Sequence, residues 1–166
     1  MANLLLISCS GTKKKDLEAI PALERYDGTT YKVIKKAKRE RYWPKHTHLC
    51  IVSAKYGLIS EHTLIEDYDQ KMTNTRAIEL QIVVSQALDN LLEQNTYEHI
   101  FINMGSVYTK SINLSSEVLK ARHQGRLQEA TGGIGERLQQ TKAWLIQITE
   151  HQTPRHIEKH KHNSNQ

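Results

Sequence analysis

A thiol, a run of cations and a pair of carboxylates are the residues here whose types and spacing could carry chemistry. In "ISCSGTKKKD", Cys9 follows an apolar run at residues 4–7 and Ser8, and precedes Ser10, Gly11, Thr12 and the lysines Lys13, Lys14 and Lys15. A cysteine where a strand gives way to a polar loop, beside cations and free backbone amides, is placed to ionise and attack an electrophilic carbon. Cys50 differs, because Leu49 and Ile51 flank it, and it reads as a small core hydrophobe.

Two further segments have the same small polar character. "SAKYGLI" contributes Ser53, Ala54, Lys55, Tyr56 and Gly57, and "NMGSVY" contributes Asn103, Gly105, Ser106 and Tyr108. The densest acidic cluster, "EDYD", supplies Glu66, Asp67, Tyr68 and Asp69 downstream of the second segment. Several familiar site patterns are missing. One glycine precedes the lysines, so no phosphate loop of the G-x-x-x-x-G-K-[ST] type forms; no G-x-G-x-x-G follows a strand, and no G-x-S-x-G elbow occurs. These absences argue against an NTPase, a dinucleotide enzyme and an α/β-hydrolase.

The elements that must position these residues follow from periodicity. Apolar runs at residues 3–8, 48–54 and 99–105 predict buried strands, each ending in one of the small polar segments. Between the first two, residues 29–43 predict a helix with Val33, Ile34 and Ala37 on one face and Pro44 as its stop. Before the third, Asn74 or Thr75 is expected to cap a long helix whose Ile78, Ile82, Leu88, Leu91 and Leu92 recur at helical spacing. Ser106 then caps a short helix, and residues 125–130 form a fourth strand. The glycine loop at 132–135 opens a final helix that turns Ile134, Leu138, Trp144, Leu145 and Ile148 to the core. Strands alternating with helices predict an α/β fold: a single three-layer domain over residues 1–150, with a short, mostly parallel sheet and helices on both faces. In such sheets ligands bind beyond the carboxyl ends of the strands, where the three small polar segments fall.

Composition sets the outer limits. At 166 residues the chain suits one domain. Lys and Arg number 23 against 18 Asp and Glu, a net charge of +5 that favours an anionic partner. Two cysteines fit a reducing compartment and free thiols, and no apolar stretch near the start is long enough for a membrane span or leader, so a cytoplasmic protein is expected. Residues 151–166 lose all apolar periodicity and read as a basic, flexible tail. It holds four of the nine histidines, without the spacing of a closed zinc site.

Cys9 with its lysines, "SAKYGLIS", Tyr68 with Asp69, "NMGSVY" and "GGIGERLQQTKAWL" together resemble a bacterial domain family related to the peroxide-stress YaaA proteins. The likeness covers residues 3–148 and includes the late glycines Gly132 and Gly133. A second similarity is to the archaeosine synthase motif, a cysteine followed by three residues and a lysine, matched by Cys9 and Lys13. Here Ser8 stands for its proline, Lys14 and Lys15 for its Pro-Tyr, and Tyr26 with Thr29 gives the nearest tyrosine and hydroxyl.

Through these likenesses the chain resembles DpdC-like hydrolases of the 7-deazaguanine DNA-modification system. The resemblance implies hydration of the nitrile of 7-cyano-7-deazaguanine in DNA, with no cofactor or metal. In that reading Cys9 adds to the nitrile, Lys13 or Lys55 stabilises charge or supplies a proton, and Asp67 or Asp69 activates water. Ser8, Ser10, Gly11, Thr12, Tyr26 and the two later strand-end segments line the base pocket. The base is extruded or single-stranded, stacked on Tyr56, Tyr68 or Tyr108, with basic residues between Lys32 and Lys45 on the flanking phosphates. The alternatives are a nucleobase or nucleoside N-glycosidase and a non-catalytic DNA-binding module.

Overall fold

The structure, a computed structural model, describes residues 1–15 and 18–154. Its centre is strand β1 (Ala2–Ser8), which pairs in parallel with β3 (Thr47–Ser53) on one side and β6 (Tyr97–Asn103) on the other. The five-stranded sheet is completed by β4 (Gly57–Ser60), antiparallel on β3, and by β7 (Leu127–Glu129), parallel on β6, in the order β4-β3-β1-β6-β7. A two-stranded ribbon of β2 (Ile20–Pro21) and β5 (Leu64–Ile65) lies apart from it.

Both faces of β1 are covered, which is why its sequence is continuously apolar rather than alternating. Leu4 and Leu6 join Leu80, Val84 and Leu88 of α3 (Asn74–Gln94) and Val118 of α5 (Ser116–His123). Leu5 and Ile7 join Ala22 of α1 (Ala22–Arg25), Tyr31 and Ile34 of α2 (Thr29–Arg39), and Trp144 and Leu145 of α6 (Ile134–Gln152). The fold is therefore α/β with helices on both faces, as expected. Because α2 and α3 lie on opposite faces, the chain leaves β1 toward β3 and returns to its other side as β6. The carboxyl end of β1 is thus the topological switch point where open α/β sheets bind ligands.

Several local expectations are corrected. The expected cap on Asn74 or Thr75 falls on Thr73, whose side chain accepts from the Arg76 amide. Ile78 and Ile82 are 60% and 62% exposed, and Ala77, Leu80, Val84, Ser85 and Leu88 form the buried face instead. The α3 sequence is apolar on more than one face, and the small Ala77 and Ser85 let one of them approach the sheet closely. Ile134 is 70% exposed and Leu138 half-buried, so the inward face of α6 begins at Thr141. The second segment does not simply run into a loop: Gly57, at φ +74°, turns the chain back as β4. That conformation is one a side chain disfavours. Helix α6 runs on to Gln152, past the expected boundary at 150, and the rest of the expected tail, residues 155–166, lies outside the described residues.

Candidate functional site

The three adjacent strands β3, β1 and β6 bring their carboxyl ends to one edge of the sheet. The Cys9 amide donates to the Val52 carbonyl at 3.0 Å, extending the β1–β3 ladder by one residue and fixing the thiol at the strand terminus. Tyr31 of α2 donates to the Ser8 carbonyl at 2.8 Å. From the β6 side, the loop at Gly105 leads into α4 (Ser106–Thr109), which carries Tyr108 so that its hydroxyl lies 3.1 Å from the Cys9 sulfur.

Below this pair sits a ring of three hydroxyls. Tyr26 donates to Ser53 Oγ at 3.3 Å, Tyr26 and Tyr68 oxygens are 2.6 Å apart, and Ser53 and Tyr68 are 3.0 Å apart. With the Tyr26 proton committed to Ser53, Tyr68 donates to Tyr26 and Ser53 to Tyr68, closing the ring. Ser53 Oγ also accepts from the Lys55 and Tyr56 amides, so the turn after β3 is built on the same oxygen. Burial pushes the Tyr26 phenol up to about 12. It likewise holds Tyr31, Tyr68 and Tyr108 above their ordinary value, with the nearby Cys9 charge adding to the effect. These phenols are protonated donors at neutral pH.

The cations and carboxylates divide into two groups. Lys13 Nζ lies 4.4 Å from the centre of the Tyr68 ring, on the Cys9 side. Lys55 is exposed, 5.2 Å over Tyr56 and 5.8 Å over Tyr68. Asp67 pairs with Lys15 at 3.2 Å, and that hydrogen bond holds its carboxyl below the usual range. Asp69 faces a cavity of about 330 Å³ together with Cys9, Ser10, Lys13 and Tyr108. On the other side of Cys9 and Ser10 lies a second cavity of about 210 Å³, bordered by Gly28, Thr30, Asn103 and Arg137.

The model of DUF6884, described as a family of unknown function, matches residues 4–145. The chain belongs to that family. No curated protein and no solved structure matches it. The DUF6884 span includes Cys9, Lys13, Asp69, Tyr108 and Arg137.

Of the residues singled out in sequence, Ser8, Cys9, Ser10, Gly11, Lys13, Asp69, Asn103 and Tyr108 line one or both DUF6884 cavities. Ser53 and Tyr26 are fully buried beneath them, and Ala54 is buried beside them. Thr12 is exposed, and its amide donates to Ser10 Oγ at 3.1 Å. Tyr56 is the exposed one of the three tyrosines expected to stack. Lys55, Gly57, Gly105, Ser106 and Asp67 lie outside both linings, as do Gly132 and Gly133, although Gly133 caps the helix that carries Arg137. Of the expected phosphate-binding cations, Lys35 pairs with Asp27 at 3.5 Å and Lys38 with Glu61 at 2.5 Å, while Lys32, Lys36, Arg39 and Lys45 are exposed. Among the described residues no group of three or more His, Cys, Asp or Glu could hold a metal ion.

Three arginines of this DUF6884 chain escaped the sequence reading. Arg25, fully buried, donates to the carbonyls of Lys14, Glu18 and Ile65 at 2.8, 2.5 and 3.3 Å, tying the lysine loop to β5. Arg76 donates to Ala54 and Lys55 carbonyls at 2.7 and 3.2 Å and holds the turn after β3. Arg137 borders the smaller cavity. Nothing in sequence distinguishes these from surface arginines; the one available signal was "DGTT", a glycine and two hydroxyls opening α2.

Proposed function

We propose that this DUF6884 chain hydrates the nitrile of 7-cyano-7-deazaguanine in DNA to the 7-amide. The observation that carries the reading is the Cys9 sulfur, 3.1 Å from the Tyr108 hydroxyl, in a cavity that also presents Lys13 and Asp69. Its volume of about 330 Å³ falls in the range of small-molecule sites. The choice of nitrile and of DNA rests on the likeness to DpdC-like hydrolases and on the net charge of +5.

The steps balance with water as the one co-reactant. The thiol proton passes to Tyr108 while the sulfur adds to the nitrile carbon, and the phenol proton passes to the nitrile nitrogen, giving a thioimidate. Asp69 takes a proton from water as its oxygen attacks that carbon. Asp69 passes that proton to the nitrogen, giving a tetrahedral adduct that bears OH, NH2 and the cysteine sulfur; on collapse the hydroxyl gives its proton to Asp69, the carbon–sulfur bond breaks, and the expelled thiolate is reprotonated through Asp69. The product is the neutral amide. Lys13 favours negative charge on sulfur and on the departing thiolate. Between the two carboxylates, Asp69 suits the basic role because Asp67 is committed to Lys15.

Incubating DNA that carries the nitrile base with the protein, then measuring nucleosides by mass spectrometry, tests the reading. Gain of one water per modified base is expected. An unchanged nitrile overturns it, release of free base or abasic sites points to an N-glycosidase, and binding without any change points to a DNA-binding module. The base must leave the stack to reach a thiol at a strand end, so single-stranded substrate is expected to react faster than matched duplex.

A further inference from the structure

The smaller cavity, about 210 Å³, has chemistry of its own that the thiol reaction does not use. Its walls are Cys9 and Ser10 on one side, Gly28, Thr29 and Thr30 at the start of α2 on another, and Arg137 of α6 on a third. No carboxylate belongs to the lining. The Arg137 Nη1 donates to the Gly132 carbonyl at 3.3 Å, but its Nε is buried without a hydrogen-bond partner, and Arg137 takes part in none of the ion pairs found among the described residues. Arg137 thus brings to the lining a guanidinium that no carboxylate neutralises, a charge-assisted donor for a ligand anion.

The opposite wall is complementary. Helix α2 spans 11 residues, its N-cap Gly28 supplies no side-chain acceptor, and its first turn contains no acidic residue. The intrahelical ladder begins with the Lys32 amide donating to the Gly28 carbonyl at 3.1 Å, which leaves the amides before it as donors at the positive end of the helix. Ser10 and Thr30 add hydroxyls. Closeness here is limited by the backbone: a Cβ on Gly28 would stand 2.4 Å from Ser10 Oγ, so the glycine lets Ser10 and α2 share this wall. A guanidinium, hydroxyls and helix amides around one small space, with no competing carboxylate, is the chemistry of a phosphate group.

We propose that this cavity is a phosphate site, occupied by the phosphate attached to the sugar of the base presented to Cys9. The identity of the carrier rests on the nucleic-acid reading above; the site itself does not. Cys9 borders both cavities, so a nucleotide seated with its phosphate against Arg137 has its base directed across Cys9 toward Lys13, Asp69 and Tyr108.

Calorimetric titration of the whole chain with inorganic phosphate, at ionic strength balanced with chloride, tests the site without modified base or turnover. One saturable site per chain is expected, weakened at least tenfold by Arg137→Gln and less by Arg137→Lys. Thr30→Val should weaken it as a second, independent wall, whereas Ile82→Gln, on the exposed face of α3 and outside both linings, should leave it in place. Displacement of phosphate by a 5′-deoxynucleoside monophosphate alone assigns the occupant as a monoester. Displacement by a single-stranded oligonucleotide lacking terminal phosphate assigns it as a backbone diester. No saturable binding, or equal affinity in wild type and Arg137→Gln, overturns the proposal. Phosphate binding without nitrile hydration would sink the reaction and leave the site standing, and the converse would sink the site alone.

Discussion

The Tyr108 hydroxyl and the Cys9 sulfur are 3.1 Å apart although 99 positions separate them in the chain. Burial keeps the phenol protonated, so Tyr108 can hydrogen-bond a thiolate and hand a proton to the atom the sulfur attacks. Tyr108→Phe is expected to lower the rate of nitrile hydration by about 10²–10⁴-fold, the usual span for a proton-transfer residue. Cys9→Ala should abolish turnover, and both variants should retain the wild-type melting curve. Near-normal turnover by Cys9→Ala would rule out the thioimidate and leave direct attack by water.

The two carboxylates of "DYD" are expected to separate cleanly. Asp69→Asn removes the carboxylate that faces Cys9 and should cost about 10²-fold or more in rate. Asp67→Asn loses an exposed ion pair with Lys15, an interaction of small worth, and should stay within a few-fold of wild type. Single-turnover rates of the two variants decide the assignment, and the reverse order would transfer the basic role to Asp67.

Alkaline stability should report the buried phenols. Tyr26 is pushed up to about 12 in the folded protein, so the unfolded chain loses its proton first as pH rises above about 10. The contribution is therefore complete below pH 10 and is lost between about 10 and 12, at up to about 1.4 kcal/mol per pH unit. Tyr31, Tyr68, Tyr97 and Tyr108 are raised too and steepen the fall. Tyr26→Phe should be less stable at neutral pH by about 1–3 kcal/mol, because Ser53 and Tyr68 lose a partner. Its deficit should shrink toward pH 12. Denaturant unfolding from pH 7 to 12 checks this, and a deficit that grows with pH would contradict it.

Gly28→Ala places a methyl 2.4 Å from Ser10 Oγ and 3.2 Å from its Cβ, in an otherwise ordinary backbone conformation. Ser10 must turn away and give up its bond from the Thr12 amide. The variant should fold yet bind and react at least tenfold more weakly, and adding Ser10→Gly should restore part of the loss. Additive losses in the double variant would show that the two residues do not share the wall.

On α3, Leu88→Ala should cost about 2–5 kcal/mol, whereas Ile82→Gln should change stability by no more than about 0.5 kcal/mol. Chemical denaturation of both variants checks the assignment of the buried face.

That contrast marks the limit of what the sequence made legible. The three long strands stood out because each is apolar on both faces, and residues of the small polar ends of β1 and β6 border the two cavities. Cys50 was legible as core for the same reason, and burial pushes its thiol up to about 12. Ile82 and Ile134 were misplaced because helical periodicity counts apolar residues without knowing which face a sheet will cover. Arg25, Arg76 and Arg137 were invisible because their roles depend on backbone carbonyls or cavities made by distant segments. The same holds for the choice between Asp67 and Asp69, which turns on where Lys15 lands.

The placement of β1 also governs when during folding the chemistry can exist. Its partners begin at Thr47 and Tyr97, and Tyr108 follows the second of them, so β1 keeps one open edge until the chain has been made past residue 103. Until β6 docks, the β1 backbone presents an open strand edge, the exposure that makes long-range parallel pairing slow and prone to association. A nascent chain ending before Tyr97 would carry the thiol on that open edge, with neither its hydroxyl partner nor the Asn103 wall. Nucleophile and proton donor thus become a pair only when β6 and α4 dock beside β1.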